Sequence, residues 1–339
     1  MEIIIDKRIE LLAVIQTLDK YWDDLAITFM NRELFQCKYK ENLWSYFGKY
    51  KNHETVKLYS ELSKNVMDIC TFLKLMLCYS NPPKLNSIAN PENNFNNAFE
   101  SDFPFERFIS GLRQFYVDTN FELFLENNQN EYDNLLGNYE NKDEVVKYVS
   151  FIDNYLGTET KNYTVIISAL LMGCFGINVH TNENVICNYS IMSPYDCIDN
   201  KYVFGSKNSV KELLWHEIGH LTINDLTRSY ISQFNVSEKP VSEDFVKNLY
   251  TDIETVINEY IIRAITIRLF EINHEEKFAE HLLNDNIQKG FKEIEAVKRY
   301  MLNYCEKNNE LMKDEKYKEL MNYVIDMFDN RIKTYRLGA

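Results

Sequence analysis

The runs YTVIISALL (163–171), FGINVHT (175–181) and NVICNYSIM (184–192) are rich in β-branched and aromatic residues and are separated by glycine or by the polar turn Thr-Asn-Glu-Asn (181–184). Runs of that length and composition predict three short strands, the last two forming a hairpin. On both sides of them the pattern is helical. From Ile5 to about Leu156 apolar residues recur at threes and fours, as in Ile5, Ile9, Leu12 and Ile15, and again in Phe105, Phe108, Ile109, Leu112 and Phe115. Breaks fall at Ser80-Asn-Pro-Pro83 and Asn90-Pro-Glu-Asn-Asn94, where proline and asparagine favour loops. Helical periodicity returns after Ser209 and holds to about Tyr335, with a long segment from roughly Val241 to Ile272. The expected fold is α+β and mostly helical. A helical amino-terminal part over residues 1–156 packs on a core over 157–339 that holds the small sheet and the carboxy-terminal helices, the whole forming one compact unit. No repeat at a fixed period is visible.

Composition narrows the function. The 339 residues carry a net charge of −14, which opposes contact with phosphate backbones and excludes a nucleic-acid partner. The amino terminus, MEIIIDKRIELLAVIQTLDKYWDD, has charges inside its apolar pattern. It is neither a signal peptide nor a membrane span, so the expectation is a cytoplasmic chain with no membrane partner. Seven cysteines, odd in number, widely spaced and without a Cys-x-x-Cys pair, predict reduced thiols in place of a disulfide framework.

Residues 211–225 read KELLWHEIGHLTIND. On a helix, residues four apart lie about 40° apart around the axis, so His216 and His220 project from successive turns on one side and can share an ion. Glu217 sits about 100° round from His216, placed to contact a water at that ion as a general base. Gly219, a poor helix former, points to a close neighbour on that surface. The bland alternative is a pair of histidines that merely cap or pack.

A zinc site needs a third protein ligand. Glycine and histidine would stand three and six positions after His220 in one class of zinc peptidase; Ile223 and Leu226 stand there instead and exclude it. Carboxylates at Glu238, Glu243, Asp244, Asp252, Glu254 and Glu259 are the candidates. At 100° per residue, Asp252, Thr255, Arg263 and Thr266 fall within about 40° of Glu259, on a helix where Val256, Ile257, Ile261, Ala264, Ile265 and Ile267 cover much of the rest. Such a polar stripe faces a site if it is buried, and Glu259 is therefore preferred over Glu254. If it faces solvent, Glu259 only pairs with Arg263. Asn224 and Asp225, expected near the end of the motif helix, can hydrogen-bond a ligand or form a turn.

Together, His216-Glu217-x-x-His220 and Asn258-Glu259-Tyr-Ile-Ile-Arg263-Ala264-Ile265 resemble the zincin metallopeptidases of the gluzincin type, in which a glutamate on a later helix completes the zinc site. With IDKRIELLAVIQTL (5–18), YFGKYKNHETVKL (46–58) and NEYIIRAI (258–265), the chain more narrowly resembles a bacterial family catalogued as a domain of unknown function with a zincin-like core. A proline often follows the asparagine after the motif in that family, where Asp225 stands here. The resemblance implies a hydrolase with zinc and a peptide or protein substrate. It also implies that an edge strand, NVICNYSIM (184–192), holds an extended peptide by backbone pairing, with the helical half as the opposite wall. In such a site His216, His220 and Glu259 bind zinc and Glu217 moves the proton, while Arg263, Tyr250, Tyr260 or His180 steadies the oxyanion. Two rival functions use the same residues: a zinc hydrolase of a non-peptide amide, and a non-catalytic metal-binding interaction module.

Overall fold

The structure, a computed structural model, describes residues 1–30, 33–64, 70–95, 103–233, 252–306 and 314–337. The fold is α+β and mostly helical, 65% helix with a small mixed sheet. Internal contacts divide the chain into one unit of Met1–Val145 with Lys161–Val210 and a second of Val146–Thr160 with Lys211–Ala339.

The first unit begins with strand β1 (Glu2–Ile4) and helices α1 (Lys7–Leu18), α2 (Tyr21–Leu25), α3 (Lys38–Phe47), α4 (Glu54–Ser63) and α5 (Cys70–Leu77). It continues with α6 (Pro91–Phe95), α7 (Phe105–Asp118), α8 (Phe121–Asn127) and α9 (Gln129–Gly137), and with the start of α10 (Lys142–Leu156). Strands β2 (Tyr163–Ile167), β3 (Cys174–His180) and β4 (Ile186–Met192) follow, then the small hairpin of β5 (Asp196–Ile198) and β6 (Lys201–Val203). The sheet order is β1-β2-β4-β3. β3 and β4 form the antiparallel hairpin expected from their sequence, with His180 opposite Ile186, whereas β2 runs parallel to both β1 and β4.

That order corrects one expectation. β4 is paired along both sides, by β2 and by β3, so its backbone donors and acceptors are already used and it has no free edge on which to seat a peptide. β1 has no sequence signature: three residues at the extreme amino terminus carry no period of their own, and their partner, Tyr163–Ile167, is far along the chain.

Helix α1 is the core of this unit. Asp6 caps it, accepting from the backbone N–H of Arg8 at 2.8 Å and of Ile9 at 3.3 Å. The spacing of Ile9, Leu12 and Ile15 suggests one apolar face; instead the helix is buried around its whole circumference from Arg8 to Leu18. Its polar residues therefore find partners inside. Arg8 pairs with Asp6 at 2.6 Å. Glu10, 1% exposed, accepts from Ser168 Oγ at 2.6 Å and from Tyr39 Oη, which also hydrogen-bonds Tyr132 Oη at 2.8 Å.

Among the described residues no cation pairs with Glu10, and burial pushes its carboxyl up to about 7, outweighing the Ser168 and Tyr39 hydrogen bonds, with the charge of Asp6 adding to the rise. The raised value means that the folded chain binds a proton the unfolded chain has already released. The stabilising contribution is thus complete below the unfolded value of 4.5 and lost as the pH rises through about 7. Its full size is about 3 kcal/mol. Glu10→Gln keeps the shape without the charge, so the variant should gain stability over the wild type between pH 5 and 8, and the gap should level off above that range. Denaturant titrations of both proteins at four or five pH values measure the gap; a constant difference overturns the assignment.

The second unit comprises the rest of α10 and most of α11 (Lys207–Ile231), with α12 (Ile253–Ile272), α13 (Glu276–Gln288), α14 (Ile294–Tyr300) and α15 (Asp314–Leu337). α12 is its centre: from Val256 to Phe270 nearly every residue is buried, and α13, α14 and α15 all pack on it. Asp252 caps it, accepting from Thr255 N–H at 2.8 Å. The expected start near Val241 lies outside the described residues. Trp215 of α11 is wedged between Phe151 and Phe270, with ring centroids 5.3 and 4.8 Å away, and its indole N–H donates to Tyr148 O at 2.9 Å. All seven cysteines are free thiols, three of them buried. Among the described residues no helix is long and apolar enough to cross a membrane.

Candidate metal centre

α11 presents His216 and His220 from successive turns, and α12 presents Glu259 to the same point. The two Nε2 atoms lie 3.2 Å apart. Glu259 places one oxygen 3.3 Å from His220 Nε2 and the other 3.6 Å from His216 Nε2. His216, His220 and Glu259 form the group of potential metal ligands found among the described residues. All three belong to the second unit.

The fit to an ion can be tested on these distances. Bonds of about 2.0–2.1 Å at tetrahedral angles separate neighbouring ligand atoms by about 3.3 Å, which is the scale of the triangle observed. The donor chemistry agrees. Asn224 Oδ1 lies 3.1 Å from His220 Nδ1 and takes its N–H, so the neutral ring turns the Nε2 lone pair toward the cluster. Two nitrogens and a carboxylate converging in this way demand a positive charge between them. Without an ion a proton supplies it: burial lowers the His220 pKa, but the hydrogen bond to Glu259 and its charge, helped by Glu217 and Asn224, outweigh this and raise it to about 9.

Glu259 is 5% exposed. Burial alone would push its carboxyl up, yet the charge of Arg263 and the nearby His216 and His220 hold it well below the usual carboxylate range. Arg263, one turn on along the same helix, places Nε 2.8 Å from Glu259 Oε2, the oxygen that faces His216, and a terminal nitrogen 2.7 Å from Asn286 Oδ1. Its guanidinium lies 4.7 Å over the Phe291 ring. Arg263 is thus engaged with Glu259, as a residue that orients this carboxylate. The rest of the polar stripe is local: Asp252 caps the helix and Thr266 Oγ1 donates to Ile262 O at 2.9 Å.

Glu217 has the setting of a base. It is 6% exposed and makes no hydrogen bond or ion pair to any described residue, while its charge acts on His220. Gly219 explains how the two helices come close enough: a Cβ there would meet Ile262 Cγ2 at 3.0 Å, so α12 packs into the space a side chain would fill.

Other sequence candidates fall elsewhere. Tyr260 Oη donates to Glu293 at 2.8 Å, away from the histidines. Glu254 pairs with Arg228 at 3.6 Å. His180 ends β3 in the first unit, exposed to solvent. Glu238, Glu243, Asp244 and Tyr250 lie outside the described residues. Asn224 and Asp225 are well inside α11, which runs on to Ile231, so neither forms a helix-terminal turn; Asp225 pairs with Arg228 at 3.1 Å.

Sequence reasoning missed a buried lock. Tyr317 of α15 donates to Thr227 Oγ1, and that hydroxyl donates to Asn258 Oδ1, tying α11, α12 and α15 together one residue before Glu259. Thr227 is seven positions after His220 and on its face of the helix, the one signal that points to it.

The fold and site together define an α+β, mostly helical protein with a His-His-Glu cluster on two adjoining helices. The chain belongs to the family described as "Domain of unknown function (DUF4932)", whose model matches residues 1–328. Neither a curated protein nor a solved structure is significantly similar to it.

Proposed function

We propose that the protein is a zinc-dependent metallopeptidase. The observation that carries this reading is the convergence of His216 Nε2, His220 Nε2 and Glu259 within a triangle of tetrahedral size, with the buried, unpartnered Glu217 beside it. His216, His220 and Glu259 would hold the ion. Zinc bound there would supply Lewis acidity, polarising a carbonyl and lowering the pKa of a water molecule.

The chain's own groups do the rest. Glu217 accepts the proton released as the water oxygen bonds to the carbonyl carbon, then delivers it to the amine nitrogen as the C–N bond breaks. Arg263 keeps the Glu259 carboxylate turned toward the histidines. Asn224 fixes the His220 tautomer. A module that only bound metal would gain nothing from a buried, unpaired carboxylate at this place, which favours catalysis over a scaffold.

The test is a metal assay on protein purified without chelators, joined to a digest of a peptide library. The expected result is one zinc per chain and peptide cleavage that stops with a chelator and returns with zinc. Zinc without peptide cleavage, but with hydrolysis of small amides, moves the assignment to a non-peptide amidase. Absence of zinc, with no rise in melting temperature on adding it, ends the reading.

A further inference from the structure

One charged side chain on the site face of α11 has no task in the chemistry above. Glu212 precedes His216 by four residues, so its carboxylate stands one turn along the helix on the same side. It is half-buried and makes no hydrogen bond or ion pair to any described residue. The charged groups within electrostatic reach are His216, Lys289, Arg263 and Asp285. Two of them are engaged elsewhere: Lys289 with Asp285 at 2.6 Å, and Arg263 with Glu259 and Asn286. Nor does Glu212 hydrogen-bond His216, so it does not act as the carboxylate that orients this ring. A carboxylate with cations at a distance but no direct partner, partly removed from water and one helical turn from the His-His-Glu cluster, is complementary to an ammonium group.

We propose that Glu212 is an anionic subsite that takes the ammonium group of the substrate, so that the centre selects peptides with a positive charge next to the bond it cleaves. This rests on the metallopeptidase reading. Either a free α-amino group or a lysine side chain supplies that chemistry, and the test separates them.

The probes are tetra-alanine amide with a free amino terminus, the same peptide acetylated, and the acetylated peptide with one lysine placed at each position in turn. Binding is measured by calorimetry to zinc-loaded Glu217→Gln, which cannot turn them over, with and without Glu212→Gln; zinc content and melting temperature are recorded on the same samples. The free-amine peptide, or one of the lysine peptides, should bind roughly 10- to 100-fold tighter than the capped tetra-alanine, and Glu212→Gln should erase that preference while zinc is retained. Preference for the free amine identifies an α-amino group, and preference for one lysine position a side chain. Glu212→Asp, which shortens the side chain but keeps the charge, should preserve part of the preference and guards against a folding artefact.

Zinc-loaded protein that binds charged and capped peptides equally overturns the subsite and leaves the metallopeptidase reading standing. Loss of zinc on Glu212→Gln makes the residue a support for His216 and also overturns it. Protein that takes up no zinc removes both proposals.

Discussion

Glu217→Gln should keep one zinc per chain and lose peptide hydrolysis by about a thousandfold, within the range that general acid–base groups contribute. The reasoning is local. Glutamine has the shape of glutamate, and Glu217 lies against the cluster without touching a hydrogen-bonding partner that the change would orphan. The ligands His216, His220 and Glu259 are untouched, so metal content should not move. The variant also removes a charge that helps to hold the His220 proton in the metal-free state, so its melting temperature without metal should fall slightly below that of the wild type. Activity, zinc stoichiometry and melting temperature therefore change in three different ways from one substitution. A variant with full activity would remove Glu217 from the mechanism; one that lost zinc would make it a ligand.

The second large effect concerns Glu259, and here metal and stability should fall together. Glu259→Ala removes one of three ligands, so zinc should no longer copurify. It also breaks the ion pair that Arg263 Nε makes with Glu259 at 2.8 Å. Breaking a buried pair from one side costs about 3–5 kcal/mol, because the remaining charge stays in the interior. The variant should thus be less stable even in the presence of a chelator. His216→Ala makes the contrast: zinc should be lost to the same degree, but no charge is stranded, so the metal-free protein should keep most of its stability. Denaturant melts with and without chelator distinguish the two variants. Equal metal-free stability would show that Arg263 does not depend on Glu259.

Much of this architecture is legible in the amino-acid sequence. The β-branched runs mark the hairpin of β3 and β4, and the 100° turn per residue brings His216, His220 and Glu259 to one point from two separate helices. What stays hidden depends on partners distant in the chain. β1 exists because β2 lies beside it; β4 is interior because β2 pairs parallel to it, and parallel pairing leaves no hairpin signature. The burial of α1 around its whole circumference defeats an argument from periodicity, since a helix buried on every side has no solvent face for the pattern to mark. The same limit hides the Tyr317–Thr227–Asn258 lock, whose members are individually ordinary residues.

The hydrogen atom that serves Gly219 as a side chain also has a bearing on the dimensions of the His-His-Glu cluster. The separation of α11 from α12 is set where Ile262 enters the space at Gly219, and that separation fixes how far Glu259 stands from the two imidazoles. The donor set, two imidazole nitrogens and one carboxylate, suits zinc; calcium, which takes about six to eight oxygen ligands, is poorly served by it. Under the zinc proposal, a position that coordinates nothing would act as the gauge of the site, setting through the packing of two helices how closely the third ligand approaches the other two.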